Sequence, residues 1–167
     1  MYKLFGLEIS PFTLKIKSYL NYKKIKYKWI KNPNSKELRN LEQTSSLPFL
    51  LTDDGEVLQD STNTIVKLEH RYSDNSIYPE DSRLIFISSL IEGYSDEWMI
   101  KHLFNYRWTY EVDQNLASKR IAASSIPFYI RYLPIISELA LEQTAQHMKD
   151  KYSNMASSAY GIDATNR

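Results

Sequence analysis

Three short stretches hold residue types able to do chemistry. Ser10 opens Ser10-Pro11-Phe12-Thr13, a hydroxyl followed by Pro at what reads as a first helical position. Such a hydroxyl caps a helix for about 1 kcal/mol, and the positive end of the helix dipole favours an anion beside it. Asp60-Ser61 opens a second helical pattern that carries Ile65, Leu68 and Tyr72 on one face. Either residue can cap it, and a serine hydroxyl among unpaired N–H groups suits a carboxylate. The third stretch is Asp96-Glu97-Trp98 with Lys101, His102, Tyr106, Arg107 and Trp108. Trp98 and His102 are four apart and share a helix face, while Glu97 and Lys101 make a favourable i, i+4 pair. These side chains either line a small-molecule pocket or form aromatic core with a buried Arg–Asp pair. The chain has no Cys, which excludes disulfides, thiolate metal sites and a cysteine nucleophile. His70, His102 and His147 are far apart and give no zinc spacing, so no metal is expected.

A strand–helix–strand opening followed by a hairpin must position these groups. Tyr2 to Leu7 is predicted as a strand and Glu8-Ile9 as a loop. Phe12, Ile16, Tyr19 and Leu20 give the first helix its buried stripe, with Lys15, Lys17, Lys23 and Lys24 largely off it. Ile25, Tyr27 and Trp29 alternate with lysines as a second strand, and a weak helix follows from Ser35 through Leu38 and Leu41. Leu47 to Thr52, Asp53 to Glu56 and Val57-Leu58 then read as strand, turn and strand. Asp54-Gly55 predicts a tight turn with positive φ at both central positions. Pro48 has no N–H to donate and suits the first residue of an edge strand. Ser73 to Pro79 is polar and contains a breaker, so domains are expected over residues 1–78 and 79–167. Asp81-Ser82 caps a long helix through Leu84, Ile87, Ile91, Tyr94, Trp98, Leu103 and Tyr106, with a kink expected at Gly93. Further helices are expected at Asp113 to Ala123 and Ile135 to Met148, with Ser125-Ile126-Pro127 and Leu133-Pro134 interrupting the pattern.

Leu47-Pro48 and Asp60-Ser61-x-x-x-Ile65, set across the Asp-Gly hairpin, resemble two signature elements of the glutathione transferase N-terminal domain. The resemblance implies an α/β plus all-α architecture: a thioredoxin-like N-terminal domain, βαβαββα, followed by a partial helical domain. In the family that helical domain continues further, so a fragment or a trimmed fold is expected. It also implies a cis bond before Pro48 and backbone pairing of Leu47 with the cysteinyl part of glutathione. Asp60 and Ser61 would hold the γ-glutamyl end, and Phe12 would add to the same binding site. Ser10-Pro11-Phe12-Thr13 resembles the Cys-Pro-Phe motif of the omega-like branch, with Ser in the nucleophile's place. Ser10 would then steady the glutathione thiolate as it attacks a small hydrophobic electrophile, and chemistry that needs a protein thiolate is disfavoured. The Tyr-type branches place their hydroxyl late in the first strand, where this chain has Phe5-Gly6. Trp98, His102 and Tyr106 would line an acceptor pocket. Glutathione enters as a substrate, and the family's usual state is a homodimer with the helix after Ser61 in its interface.

With 21 basic and 20 acidic residues the net charge is +1, which opposes nucleic-acid binding by bulk attraction. Residues 15–31 hold seven Lys and no acid, read as the solvated sides of one helix and one strand. The 13 Tyr and 3 Trp point to well-packed cores. The N-terminus does not read as a signal peptide, and no apolar run approaches the roughly 18 residues of a membrane span. A cytoplasmic protein without membrane partners is expected. The competing reading is a non-catalytic binding or assembly module of the same fold with a relic glutathione site, favoured by the missing Cys and missing helices. A nucleic-acid-associated factor acting through the lysine-rich face is a third, opposed by the near-zero charge.

Overall fold

The structure, a computed structural model, describes residues 1–31, 47–125 and 134–160. The expected helix at Ser35 to Leu41 lies outside the described residues, as do Ile126-Pro127 and Leu133 of the two expected interruptions. The chain divides into two units, one comprising Met1–Ile77 with Ala123–Phe128, the other Tyr78–Ala122 with Tyr129–Arg167.

In the first unit a four-stranded mixed sheet has the order β2-β1-β3-β4, built from β1 (Tyr2–Phe5), β2 (Tyr27–Ile30), β3 (Phe49–Leu51) and β4 (Val57–Gln59). β1 runs parallel to β2 and antiparallel to β3, and β3 runs antiparallel to β4. Two helices, α1 (Pro11–Tyr22) and α2 (Ser61–Arg71), pack together. Side chains alternate across a strand, and each face acquires its own core. Tyr2, Leu4, Leu50 and Leu58 cluster with Ile16, Tyr19 and Leu20 of α1 and Ile65 and Leu68 of α2. Phe5, Ile30 and Phe49 form the other cluster, in which the Phe5 and Phe49 rings stack at 4.5 Å. Each wholly buried Leu or Ile contributes about 1.5–3 kcal/mol. This is the thioredoxin-like arrangement followed by helices that the resemblance implies.

Four details differ from expectation. Pro48 precedes an interior strand, not an edge strand; it lies one residue before the first paired position, Phe49, so no ladder bond needs its N–H. The hairpin is a three-residue loop: Thr52 N–H bonds Glu56 O at 2.9 Å, Gly55 N–H bonds Thr52 O at 3.3 Å, and only Gly55 has positive φ, at 91°. That is a turn followed by a glycine bulge. On α1, Thr13 takes the stripe position expected of Phe12, being wholly buried while Phe12 is half-buried. Lys23 is not off the buried side. Its ammonium pairs with Glu69 at 2.7 Å, with the two side chains 2% and 7% exposed.

That pair is a hub. Tyr19 donates to Glu69 at 2.7 Å, Ile77 N–H donates to it at 3.3 Å, and Lys23 also donates to the carbonyls of Tyr72 and Asp74 at 2.9 Å. α1, α2 and the segment after α2 are thereby joined. Burial pushes the Glu69 carboxyl up, but bonds from Lys23, Tyr19, Ser76 and Ile77 outweigh it, and the net shift is downward.

The second unit is helical: α3 (Ser82–Tyr94), a π-helical turn (Ser95–Met99), α4 (Ile100–Thr109), α5 (Glu111–Ser125, of which the residues through Ala122 belong to this unit) and α6 (Pro134–Tyr160). The long helix expected from Ser82 to Tyr106 is therefore interrupted just beyond Gly93, where Ser95 bonds back to Ile91 O at 2.8 Å. α3 has no buried residue, and Phe86 is 68% exposed. α4 packs on α6, and Trp108, Ala117, Ile121 and Ala122 supply buried apolar residues. α6 extends well past the expected end at Met148, beginning on Pro134, a favoured first helical position. Among the described residues no helix is long and apolar enough to cross a membrane.

Candidate functional site

The pairing register decides which loops meet. Phe5 pairs with Ile30 and Phe49, and Phe49 pairs with Gln59, so one row crosses the whole sheet at a single end. Ser10 follows from the end of β1, Leu47-Pro48 leads into the start of β3, and Asp60-Ser61 continues from the end of β4. The three stretches singled out in the first unit thus leave from the same row. The Leu47–Pro48 bond is cis, as the resemblance implies.

Ser10 is the N-cap of α1, its Oγ accepting from Thr13 N–H at 3.3 Å. Acceptance uses an oxygen lone pair and leaves the hydroxyl hydrogen to donate elsewhere. Asp60 caps α2, its Oδ1 accepting from Asn63 N–H at 2.9 Å, and Ser61 sits at the first helical position, 5% exposed. Asp60 has φ 65° and ψ 126°, a left-handed backbone unusual for a residue with a Cβ. Neither helix has an acid in its first turn. Two helix N-termini with their partial positive charge therefore open at one end of the sheet. Lys15 joins them, donating to Thr62 Oγ1 at 2.9 Å. Leu47 is half-buried against the Phe5–Phe49 cluster.

Two supporting contacts escaped the sequence reading. The Lys15–Thr62 bond is one. Gly6 against Thr13 is the other: a Cβ on Gly6 would lie 2.6 Å from Thr13 Cγ2. The glycine lets the chain leaving β1 touch the first turn of α1, the turn that Ser10 caps. A glycine near the end of the strand predicted over Tyr2 to Leu7 was the available signal.

In the second unit Trp98 is 58% exposed, His102 is exposed and Tyr106 is 58% exposed. Trp98 lies within the π turn, yet His102 Nδ1 still meets Trp98 O at 3.1 Å. The Lys101 ammonium sits 4.6 Å from the Trp98 ring centre, a cation–π contact at the position expected to pair with Glu97. Trp108 is buried, and desolvation pushes the half-buried Arg107 guanidinium down. The cluster is therefore not one aromatic core; only Trp108 is wholly interior. Among the described residues no three His, Cys, Asp or Glu gather as a metal set would.

Residues 4–76 match the family described as glutathione S-transferase, N-terminal domain. These residues form a glutathione transferase-like N-terminal domain. That match contains Ser10, Phe12, Leu47, Pro48, Asp60 and Ser61. No curated protein matches the sequence. Among solved structures, the glutathione transferase-like fold is similar to beta-etherase LigF from Sphingobium sp. strain SYK-6, with TM-score 0.57 and 18% identity over 95% of this chain and 70% of that one. It is also similar to a glutathione transferase homolog from Sulfitobacter with bound glutathione, with TM-score 0.53 and 11% identity over 99% and 97%. Against the Tau class glutathione S-transferase from mango, Mangifera indica, identity is 21% with TM-score 0.49 over 86% of this chain, which spans 57% of that enzyme's chain.

Proposed function

We propose that this chain binds glutathione at the row end of its sheet and conjugates it to a small hydrophobic electrophile. The observation that carries the reading is the register Phe5–Phe49–Gln59, from which Ser10, Leu47-Pro48 and Asp60-Ser61 all emerge. Leu47 offers its backbone to the cysteinyl part of the tripeptide, with Pro48 shaping the approach and Phe12 bordering it. Asp60 and Ser61 hold the γ-glutamyl end, whose ammonium suits the Asp60 carboxylate and whose carboxylate suits the Ser61 hydroxyl and helix N–H groups. The Ser10 hydroxyl donates to the sulfur, and the α1 N-terminus favours the thiolate. The thiolate attacks the electrophile, a sulfur–carbon bond forms, and the leaving group departs with the bonding pair. The protein contributes orientation and charge stabilisation, with no nucleophile of its own.

Trp98, His102 and Tyr106 are proposed as the acceptor-side residues, and the two domains as residues 1–78 and 79–167. A homodimer working in the cytoplasm, with α2 in its interface, completes the reading; the apolar exposed surface of α3 supports self-association. Calorimetric titration with glutathione tests the site. Wild type binds, and Ser61→Ala weakens binding about tenfold or more by removing a charge-assisted hydrogen bond. Equal affinity in the two proteins, or no binding by either, refutes the proposal. Binding without conjugation of any electrophile would leave the non-catalytic module.

A further inference from the structure

A cleft of about 440 Å³ lies between α5 and α6, inside the helical unit and away from every residue assigned above. Helices ordinarily face one another through apolar stripes. Here Asn115, Ser118 and Lys119 of α5, at i, i+3, i+4, line one wall, and Glu142, Gln143, Ala145, Gln146 and Lys149 of α6 line the other. The two smallest of these residues are the buried ones, Ser118 at 2% and Ala145 at 9% exposure, and they make the floor. The Ser118 hydroxyl is buried and finds no hydrogen-bond partner among the described residues. Leaving a buried hydroxyl unpaired is destabilising, whereas Ala at the same place carries no such penalty. Lys149 reaches across to Asn115 Oδ1 at 3.5 Å, one helical turn from Lys119. Lys119 and Lys149 thus give each wall an ammonium group, with the Asn115 and Gln146 amides beside them, and Glu142 is the one carboxylate in the lining. Gln146 Nε2 also donates one of its two hydrogens to Asp150 Oδ1 at 2.8 Å.

We propose that this cleft binds a small acidic zwitterion of the amino-dicarboxylate class. Its carboxylates lie between Lys119 and Lys149, amide groups of Asn115 and Gln146 bond their free edges, and its ammonium faces Glu142. A rotation of Ser118 about χ1 turns its hydroxyl to the ligand. The volume suits a ligand of this size, and the lining carries two cations against one anion, matching a ligand of net charge −1.

The test is a heteronuclear NMR titration of the full chain with L-aspartate and with succinate, which lacks the ammonium. Aspartate is expected to shift the amides of Asn115, Ser118 and Gln146 and to bind about tenfold more tightly than succinate. Lys119→Ala weakens aspartate about tenfold, and Glu142→Gln removes the preference over succinate. Ser118→Ala weakens binding while leaving thermal stability unchanged or raised, an outcome a purely structural serine would not give. Ser61→Ala retains aspartate binding, because the site is independent of the glutathione reading. No shifts at the cleft, loss of binding in Ser61→Ala, or equal affinities in the wild type and Lys119→Ala would each overturn the proposal.

Discussion

Gly6→Ala is the substitution that tests how the sheet holds the first turn of α1. An ideal Cβ at Gly6 falls 2.6 Å from Thr13 Cγ2 and 3.0 Å from Thr13 Cβ, with Oγ1 nearer still. Ordinary contacts between such atoms are about 3.5–4.0 Å, so a shift approaching 1 Å is demanded. Thr13 cannot supply it alone. It is wholly buried, its branched side chain is stiff at χ1, and its N–H is held by Ser10 Oγ at 3.3 Å. The cost is then that of overpacking, about 1–3 kcal/mol. Urea denaturation should show a lowered midpoint with unchanged slope. Removing the obstructing atoms gives the decisive arm. In a Thr13→Ala background, where Cγ2 and Oγ1 are gone, the alanine at position 6 should cost less by about 1 kcal/mol or more, a coupling expected only of touching residues. Because the displaced turn carries Ser10, glutathione affinity should fall in the single mutant and recover in part in the double. Additivity of the two substitutions within about 0.5 kcal/mol would refute the reasoning.

Lys23→Met strands the Glu69 carboxylate in the first unit and should cost about 3–5 kcal/mol, measured by urea denaturation. The folded Glu69 carboxyl lies below its ordinary value of 4.5, so its stabilisation is complete above that pH and is lost as pH falls through the lower folded value; Glu69→Gln should flatten this acid limb. Tyr72 is pushed up to about 12, first by the hydrogen bond it donates to Tyr2 at 3.1 Å and then by burial. Its stabilisation is therefore present below about pH 10 and lost as pH rises toward the folded value, and Tyr2→Phe should weaken the alkaline loss seen in denaturation. Ser10→Ala should remove a cap worth about 1 kcal/mol. Ser10→Asp should restore the cap yet fail to restore the glutathione thiolate, read by ultraviolet absorbance against pH.

Much of the first unit was legible because its signals are local. Ser10-Pro11 announces a helix start, Asp54-Gly55 a reversal, and Asp60-Ser61 a cap, each within a few residues. What stayed hidden depends on neighbours far along the chain. Alternation in Phe49-Leu50-Leu51 gives two faces but not the strand beside each edge, so Pro48 read as an edge residue. Lys23 read as solvated because its partner, Glu69, belongs to another helix. The Lys15–Thr62 bond needs α1 and α2 side by side before it can be seen. In the helical unit the periodicity of Leu84, Ile87 and Ile91 continues through Tyr94 and Trp98, and one residue of extra winding in Ser95–Met99 leaves that pattern almost intact. The cleft over Ser118 was invisible for a different reason: Asn115, Lys119, Gln146 and Lys149 look like ordinary solvent-facing residues until two helices are set opposite one another.

Asp60 places two demands on a single position. Its φ of 65° suits glycine, and Asp60→Gly would relax the backbone by about 1 kcal/mol while sacrificing only a few tenths from the cap. A screen for heat resistance alone should therefore accept glycine here, whereas a screen for tripeptide capture should reject it. Durability and ligand retention are opposed at this residue, and the opposition comes from its main chain.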